Sequence, residues 1–244
     1  MTDELLRKHE GHVTRLTLNR TQKANALSAA LVEALLDAVE YASTDGTRLL
    51  VLEGAGEQFC AGFDFTAYED QTDGDLAVRF IRIETLLQEI HHAPFETLAF
   101  AHGRNFGAGA DLVAACSIRV AAPGTTFRMP GLRFGAVLGT RRLAHRVGAD
   151  KARAVLLAAR TFDADEALAM GFITRVAARE EWPALAEAAR AESDLLSPNA
   201  AAALRRQTVA DSRAEDMAAL ALSVARPGLK ERIRRYREST ANQK

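Results

Sequence analysis

"ETLAFAHGRNFGAGADLVAACSIRVAA", residues 96–122, reads as a strand, a glycine-bearing turn, a helix and a second strand in immediate succession. "ETLAFAHG" is short and nearly all apolar, the pattern of a strand covered on both faces. "ADLVAAC" begins a helix and "SIRVAA" returns to strand. Gly103, Gly107 and Gly109 lie between the first strand and the helix. Glycines there permit a tight turn and leave the first helical amides open to an anionic oxygen, which the helix dipole also favours. A turn that needs small residues only for packing has the same sequence, so this segment alone leaves both uses open.

Working outward, the alternation of strand and helix continues. "HVTRLTLNR" carries Val13, Leu16 and Leu18 in a partly alternating strand pattern, and Leu31, Leu35 and Val39 then fall on one helical face. "RLLVLEG" is a short buried strand. "LAVRFIRIETLLQEIHH" is a helix stopped by Pro94. The fold class is therefore α/β with buried parallel strands. From Asp150 onward, helical stretches rich in Ala, Leu, Glu and Arg dominate, broken by Gly171, Pro183, Pro198 and Pro227-Gly228. Only "FITRVAA" is expected to interrupt them as a strand. The expected division is an α/β core over residues 1–194 and a helical C-terminal region over 195–244.

The chain has 244 residues, 48% hydrophobic and 26% charged, with a formal net charge of -1. That composition fits a globular protein and gives no overall attraction to nucleic acid or an anionic membrane. Two cysteines, Cys60 and Cys116, are too few for a disulfide framework or a site of cysteine pairs. The acidic start resembles no secretory signal, and no apolar run is long enough to span a bilayer. A cytoplasmic location is expected. His91, His92, His102 and His145 have no metal-ligand spacing, and no metal site is expected.

Phosphate-loop, nucleophile-elbow and zinc-helix motifs are absent. "EQFCAGFDF", residues 57–65, is unusual for a loop because Phe59, Phe63 and Phe65 surround Gly62. Apolar residues in a loop cover something, and a glycine beside them lets a backbone approach closely. The glycine turn lacks a full G-x-G-x-x-G, which argues against dinucleotide binding.

Four segments in order, "LTLNRTQKANALS", "VLEGAGEQFCAGFDF", "AHGRNFGAGADLVAACSIRVAA" and "ARTFDADEALAMGFITRVA", resemble the crotonase, or enoyl-CoA hydratase/isomerase, superfamily. The similarity spans roughly residues 12–178. It implies a spiral of β/α turns with a C-terminal helical trimerisation region. The implied ligand is an acyl-CoA thioester, so coenzyme A belongs to the substrate and no separate cofactor is expected. The implied assembly is a homotrimer or dimer of trimers.

By the same resemblance, the backbone amides of Phe63 and Ala108 are the donors that stabilise a thioester enolate. Phe59, Phe63 and Phe65 would wall the acyl pocket, or else pack in the core. Lys23, Ala24, Ala61 and Phe63 are the implied contacts to the CoA portion. The basic run "LKERIRRYR" is a further candidate for phosphate contacts, or else a charged solvent face. Family hydratases use two carboxylates, and Asp111 occupies the first position. The second, after "F-x-x-P", is Gly131, which can neither take nor give a proton, and the following segment "FGAVLGTRRL" is shorter than usual. The resemblance thus implies an acyl-CoA-processing lyase or isomerase with one carboxylate, whose reaction outcome stays open. The alternatives are a hydrolase or decarboxylase in which Arg128 or Arg133 holds a substrate carboxylate, and a catalytically weak CoA-thioester-binding subunit.

Overall fold

Along residues 4–241, those described by the computed structural model, the elements run β1 (Leu5–Glu10), β2 (Val13–Leu18), α1 (Ala29–Ala42), β3 (Leu49–Gly54), α2 (Asp73–His91), β4 (Glu96–Ala101), β5 (Arg104–Phe106), α3 (Ala108–Ala115) and β6 (Ile118–Ala121). They continue with β7 (Thr126–Arg128), α4 (Thr140–Val147), α5 (Ala149–Ala158), β8 (Thr161–Asp163), α6 (Ala164–Ala169), β9 (Arg175–Val176), α7 (Trp182–Ser193), α8 (Pro198–Thr208), α9 (Arg213–Val224) and α10 (Leu229–Ala241).

The larger sheet has the order β1-β2-β3-β4-β6-β9. Only the β1–β2 pair is antiparallel; the others are parallel, with Leu50 opposite Thr97 and Leu52 opposite Ala99. β3 and β4 read as apolar runs because helices cover both their faces. On one face Leu50, Leu52, Ala99 and Ala101 join the core formed with α1, α2 and α3. On the other, Leu49, Val51, Leu98 and Phe100 pack under α7, where Trp182 stacks on Phe100 at 4.7 Å between ring centroids.

The smaller sheet, β5-β7-β8, begins where Gly103 (φ 63°) turns the chain out of the larger one. Phe127, Phe162 and Phe172 form its buried aromatic contact. This sheet corrects the expectation that one strand alone interrupts the helical second half. β8 is a further strand there, and "FITRVAA" supplies only the two residues of β9. A three-residue strand is stabilised by its pairing partner and is too short to show a period.

α2 begins at Asp73, three residues before the apolar pattern, because Thr72 and Asp75 form a reciprocal capping box. It is the organising helix, with α1, α3, α9 and α10 packed against it. Asp73 also accepts from the amides of Gly228, Leu229 and Lys230 at 2.7, 3.1 and 2.8 Å, which caps the start of α10. Leu220, Val224, Leu229 and Ile233 on α9 and α10 are buried in the same core as α1–α3.

Candidate active site

Asn25, buried in the left-handed conformation (φ 55°), ties the loop after β2 to the loop after β3. Its amide donates to Ala55 O at 2.9 Å and Gln58 O at 2.7 Å, while its oxygen accepts from the Arg20 amide. Ala61 N then donates to Ala24 O at 2.9 Å, and Leu27 N to Gly62 O at 2.7 Å. The structure thereby joins Ala24 and Ala61 directly, with Lys23 exposed beside them. Arg20 bonds Asp64 at 2.9 Å. Burial pushes the Asp64 carboxyl up, but bonds from Thr66 and the Arg20 charge outweigh it and hold it below its usual value.

The glycine turn packs backbone against backbone on this loop. A Cβ on Gly62 would stand 2.1 Å from Phe106 O and 3.2 Å from Ala108 N, and one on Gly109 would stand 2.0 Å from Cys60 O. Gly62 and Gly109 are therefore required for close approach. Gly107 is different: a Cβ there would make no more than ordinary contact with Pro130 Cδ, and its φ of 53° selects glycine. Ala108 is the first residue of α3, so its amide has no carbonyl behind it in the helix. Among the described residues, neither Phe63 N nor Ala108 N donates a hydrogen bond within the chain.

Asp111 lies one turn into α3 and is 2% exposed. Among the described residues its Oδ1 has no hydrogen-bond partner, and it presses on Gly139, where a Cβ would stand 1.6 Å away. Burial pushes the Asp111 carboxyl up to about 8; the Arg142 guanidinium opposes this and the Glu84 carboxylate adds to it. Arg142 bonds Glu84 at 2.9 Å with both side chains almost wholly buried. Glu84 and Arg142 were not legible as site residues, yet a signal exists. Glu84 interrupts the buried face Phe80, Ile83, Leu87 of α2, where a charge has to find a partner.

Gly131 opens the short turn Gly131–Phe134 and accepts from Ala136 N at 3.0 Å. Pro130 faces Gly107, whose Cβ would meet its Cδ at 4.0 Å, so the turn stands beside the glycine loop without a carboxylate. Phe59 is a core residue, not a wall: it is fully buried, and its amide donates to His102 O. Phe63 stacks on Phe80 at 4.4 Å under the Arg79 guanidinium, and Phe65 meets Phe134, which in turn meets Tyr236 of α10. Most of the basic run is engaged. Lys230 donates to Glu69 O, Arg232 to Phe134 O, and Arg234 pairs with Glu231 and Glu238.

Residues 8–226 match the enoyl-CoA hydratase/isomerase family. The chain belongs to this family. Within it, the chain is 36% identical over 176 residues to the "Probable enoyl-CoA hydratase echA6" of Mycobacterium leprae, covering 69% of each protein. It is 30% identical over 212 residues to the human mitochondrial enoyl-CoA hydratase domain-containing protein 2, covering 84% of this chain and 72% of that one. The crystal structure of an enoyl-CoA hydratase/isomerase-type protein from Bordetella parapertussis matches with a TM-score of 0.95 at 52% identity, over 96% of this chain and 98% of that one. An enoyl-CoA hydratase from Bacillus halodurans matches with a TM-score of 0.83 at 20% identity, over 95% and 99% of the two chains, which shows the shared crotonase fold alone. Among the described residues of this family member, no cluster of His, Cys, Asp or Glu is placed to hold a metal, and no helix is long and apolar enough to cross a membrane.

Proposed function

We propose that the chain acts on an acyl-CoA thioester, receiving the carbonyl oxygen between the amides of Phe63 and Ala108 and using Asp111 as its one proton-transferring side chain. The observation that carries this is the interlock of Gly62 and Gly109 with the opposing loop, which sets the backbone after Gly62 beside Ala108 N. Two unpartnered amides in a water-poor site stabilise an oxyanion with no reorganisation, and losing one such donor costs about a hundredfold to a thousandfold in rate. Lys23, Ala24 and Ala61, clustered on the adjoining loop, are proposed to contact the CoA portion. A trimer or pair of trimers belongs to the same proposal and is checked by light scattering.

Asp111 combines two properties a carbon acid needs. It is buried where the developing enolate would be shielded, and with its carboxyl near 8 it is a stronger base, once ionised, than a solvated aspartate. At neutral pH the protonated form is favoured, so the base has to be ionised before it acts. Gly131 offers no second group to deliver water. Proton exchange at the α-carbon should therefore outrun hydration. The alternative role for Arg128 and Arg133 as a carboxylate clamp at the reacting carbon gains no support. They bond the carbonyls of Ala159 and Ala158 and line a cleft that none of Phe63, Ala108 and Asp111 lines.

The test is deuterium uptake from heavy water at the α-carbon of a saturated acyl-CoA, followed by mass spectrometry, beside hydration of a short enoyl-CoA. The expected result is exchange that Asp111→Asn suppresses by at least about a hundredfold, with slow hydration in both proteins. Equal exchange in Asp111→Asn would remove Asp111 from the mechanism and favour a CoA-thioester-binding subunit. Hydration at hundreds of turnovers per second, as efficient enzymes achieve, would show that another residue replaces the missing acid.

A further inference from the structure

A cleft of about 590 Å³ lies between the Gly131–Phe134 turn, the end of α5 and α10. Its lining holds the four guanidinium groups of Arg128, Arg133, Arg232 and Arg235, together with Tyr236, and among the described residues no carboxylate. Phe63, Ala108 and Asp111 do not line it. The Phe134 ring, 5.3 Å from that of Tyr236, stands between the cleft and the aromatic cluster around Phe65.

The four arginines are not alike. Arg232 is structural: it donates to Phe134 O, Pro227 O and Ser223 O and ties α10 to the turn. Arg128 and Arg133 each use one N–H to cap the last carbonyls of α5, on Ala159 O and Ala158 O, both at 2.8 Å. Those bonds hold the two side chains in place. Among the described residues, their other N–H groups make no bond within the chain. Among the described residues Arg235 pairs only with Glu231, at 3.5 Å, and Glu231 is itself held by Arg234. Arg128 and Arg133 share the cleft lining with Tyr236; burial pushes the Tyr236 hydroxyl up and the two cations oppose this.

Like charges that outnumber their counter-charges repel, and a bound anion relieves that repulsion. Guanidinium forks match the paired oxygens of carboxylate and phosphate. We propose that this cleft binds a small-molecule oxyanion, a phosphate or a carboxylate group, with Arg128, Arg133 and Arg235 as its ligands and Tyr236 as a hydroxyl donor. The proposal does not depend on the chemistry of Asp111.

Calorimetric titration of the whole protein at low ionic strength, with pyrophosphate in one arm and glutarate in the other, tests it. The wild type is expected to bind at least one of them with a millimolar or tighter constant, and the Arg133→Gln/Arg235→Gln variant at least about tenfold more weakly. Added salt should weaken the wild-type binding. Binding of pyrophosphate alone assigns the site to phosphates, binding of glutarate alone to carboxylates, and binding of both to either. Arg235→Gln by itself guards against a folding defect, since that side chain is 67% exposed, and it should weaken binding about fivefold. No heat from either anion at ~10 mM, or equal affinity in wild type and both variants, overturns the proposal.

Discussion

Replacing Asp111 by Asn should make the protein more stable at neutral pH while removing its proposed chemistry, and the gain should depend on pH in a defined direction. An aspartate in the unfolded chain titrates near about 3.9, whereas in the folded protein burial raises this carboxyl to about 8. Below the unfolded value both states are protonated and nothing is lost. Between the two values folding must take up a proton, so stability falls as pH rises, and above about 8 it levels off. At pH 7 the loss accumulated over about three pH units is on the order of 4 kcal/mol. Asparagine has the same shape and no charge, so it escapes this loss. Its NH2 group enters a position where Oδ1 has no hydrogen-bond partner, and an unsatisfied donor costs about 1–3 kcal/mol. The net expectation at pH 7 is a gain of about 1–3 kcal/mol. The sharper quantity is the change in the mutant-minus-wild-type difference between about pH 5 and pH 8, on the order of 4 kcal/mol, because other titrating groups cancel in it. Urea unfolding followed by circular dichroism at several pH values measures it. A difference that stays constant with pH would refute a carboxyl held protonated by burial.

If Asp111 is the base, α-proton exchange should rise about tenfold per pH unit below its pKa and level off above about 8; a rate independent of pH from 6 to 9 would count against it. Burial is the main cause of the raised Asp111 carboxyl and Glu84 adds to it; Glu84→Gln removes that added part, so any surviving exchange should level off at somewhat lower pH, and the uncompensated Arg142 should cost about 3–5 kcal/mol in chemical denaturation. Gly139→Ala would place a Cβ 1.6 Å from Asp111 Oδ1 at a left-handed position. Severe destabilisation is expected, and Asp111→Ala in the same chain should restore part of it in a double-mutant cycle. Phe80→Ala removes a buried ring stacked on Phe63 and should cost about 3–5 kcal/mol in thermal or urea unfolding.

Where residues carried a period or a continuous apolar run, the fold was legible. β3 and β4 are buried on both faces, and Leu31, Leu35 and Val39 all face the core. β5, β7 and β8 were not legible, because three residues hold no period and exist as strands through partners far along the chain. The two interlocked loops were legible because glycine marks a steric demand, and Gly62 and Gly109 meet opposing backbone. What surrounds Asp111 was not. Glu84 announces itself as a charge on an apolar helix face, but its partner Arg142 is 58 residues away and only the fold brings them together. Phe59 and Phe63 look alike in sequence; one is sealed in the core and the other joins the aromatic cluster, and that choice is set by packing.

Trp182 is the one tryptophan of the chain, and it lies on the sheet face opposite α1–α3. Its indole is 7% exposed, stacks on Phe100 and donates to Ala177 O. Intrinsic fluorescence is therefore a single-origin signal for the detachment of α7 from the sheet. The same placement screens the indole from events at Phe63, Asp111 or the arginine cleft, so ligand titrations need an extrinsic probe or calorimetry. Emission that reddens before the helical ellipticity falls would identify the α7 layer as the part of the molecule that opens first.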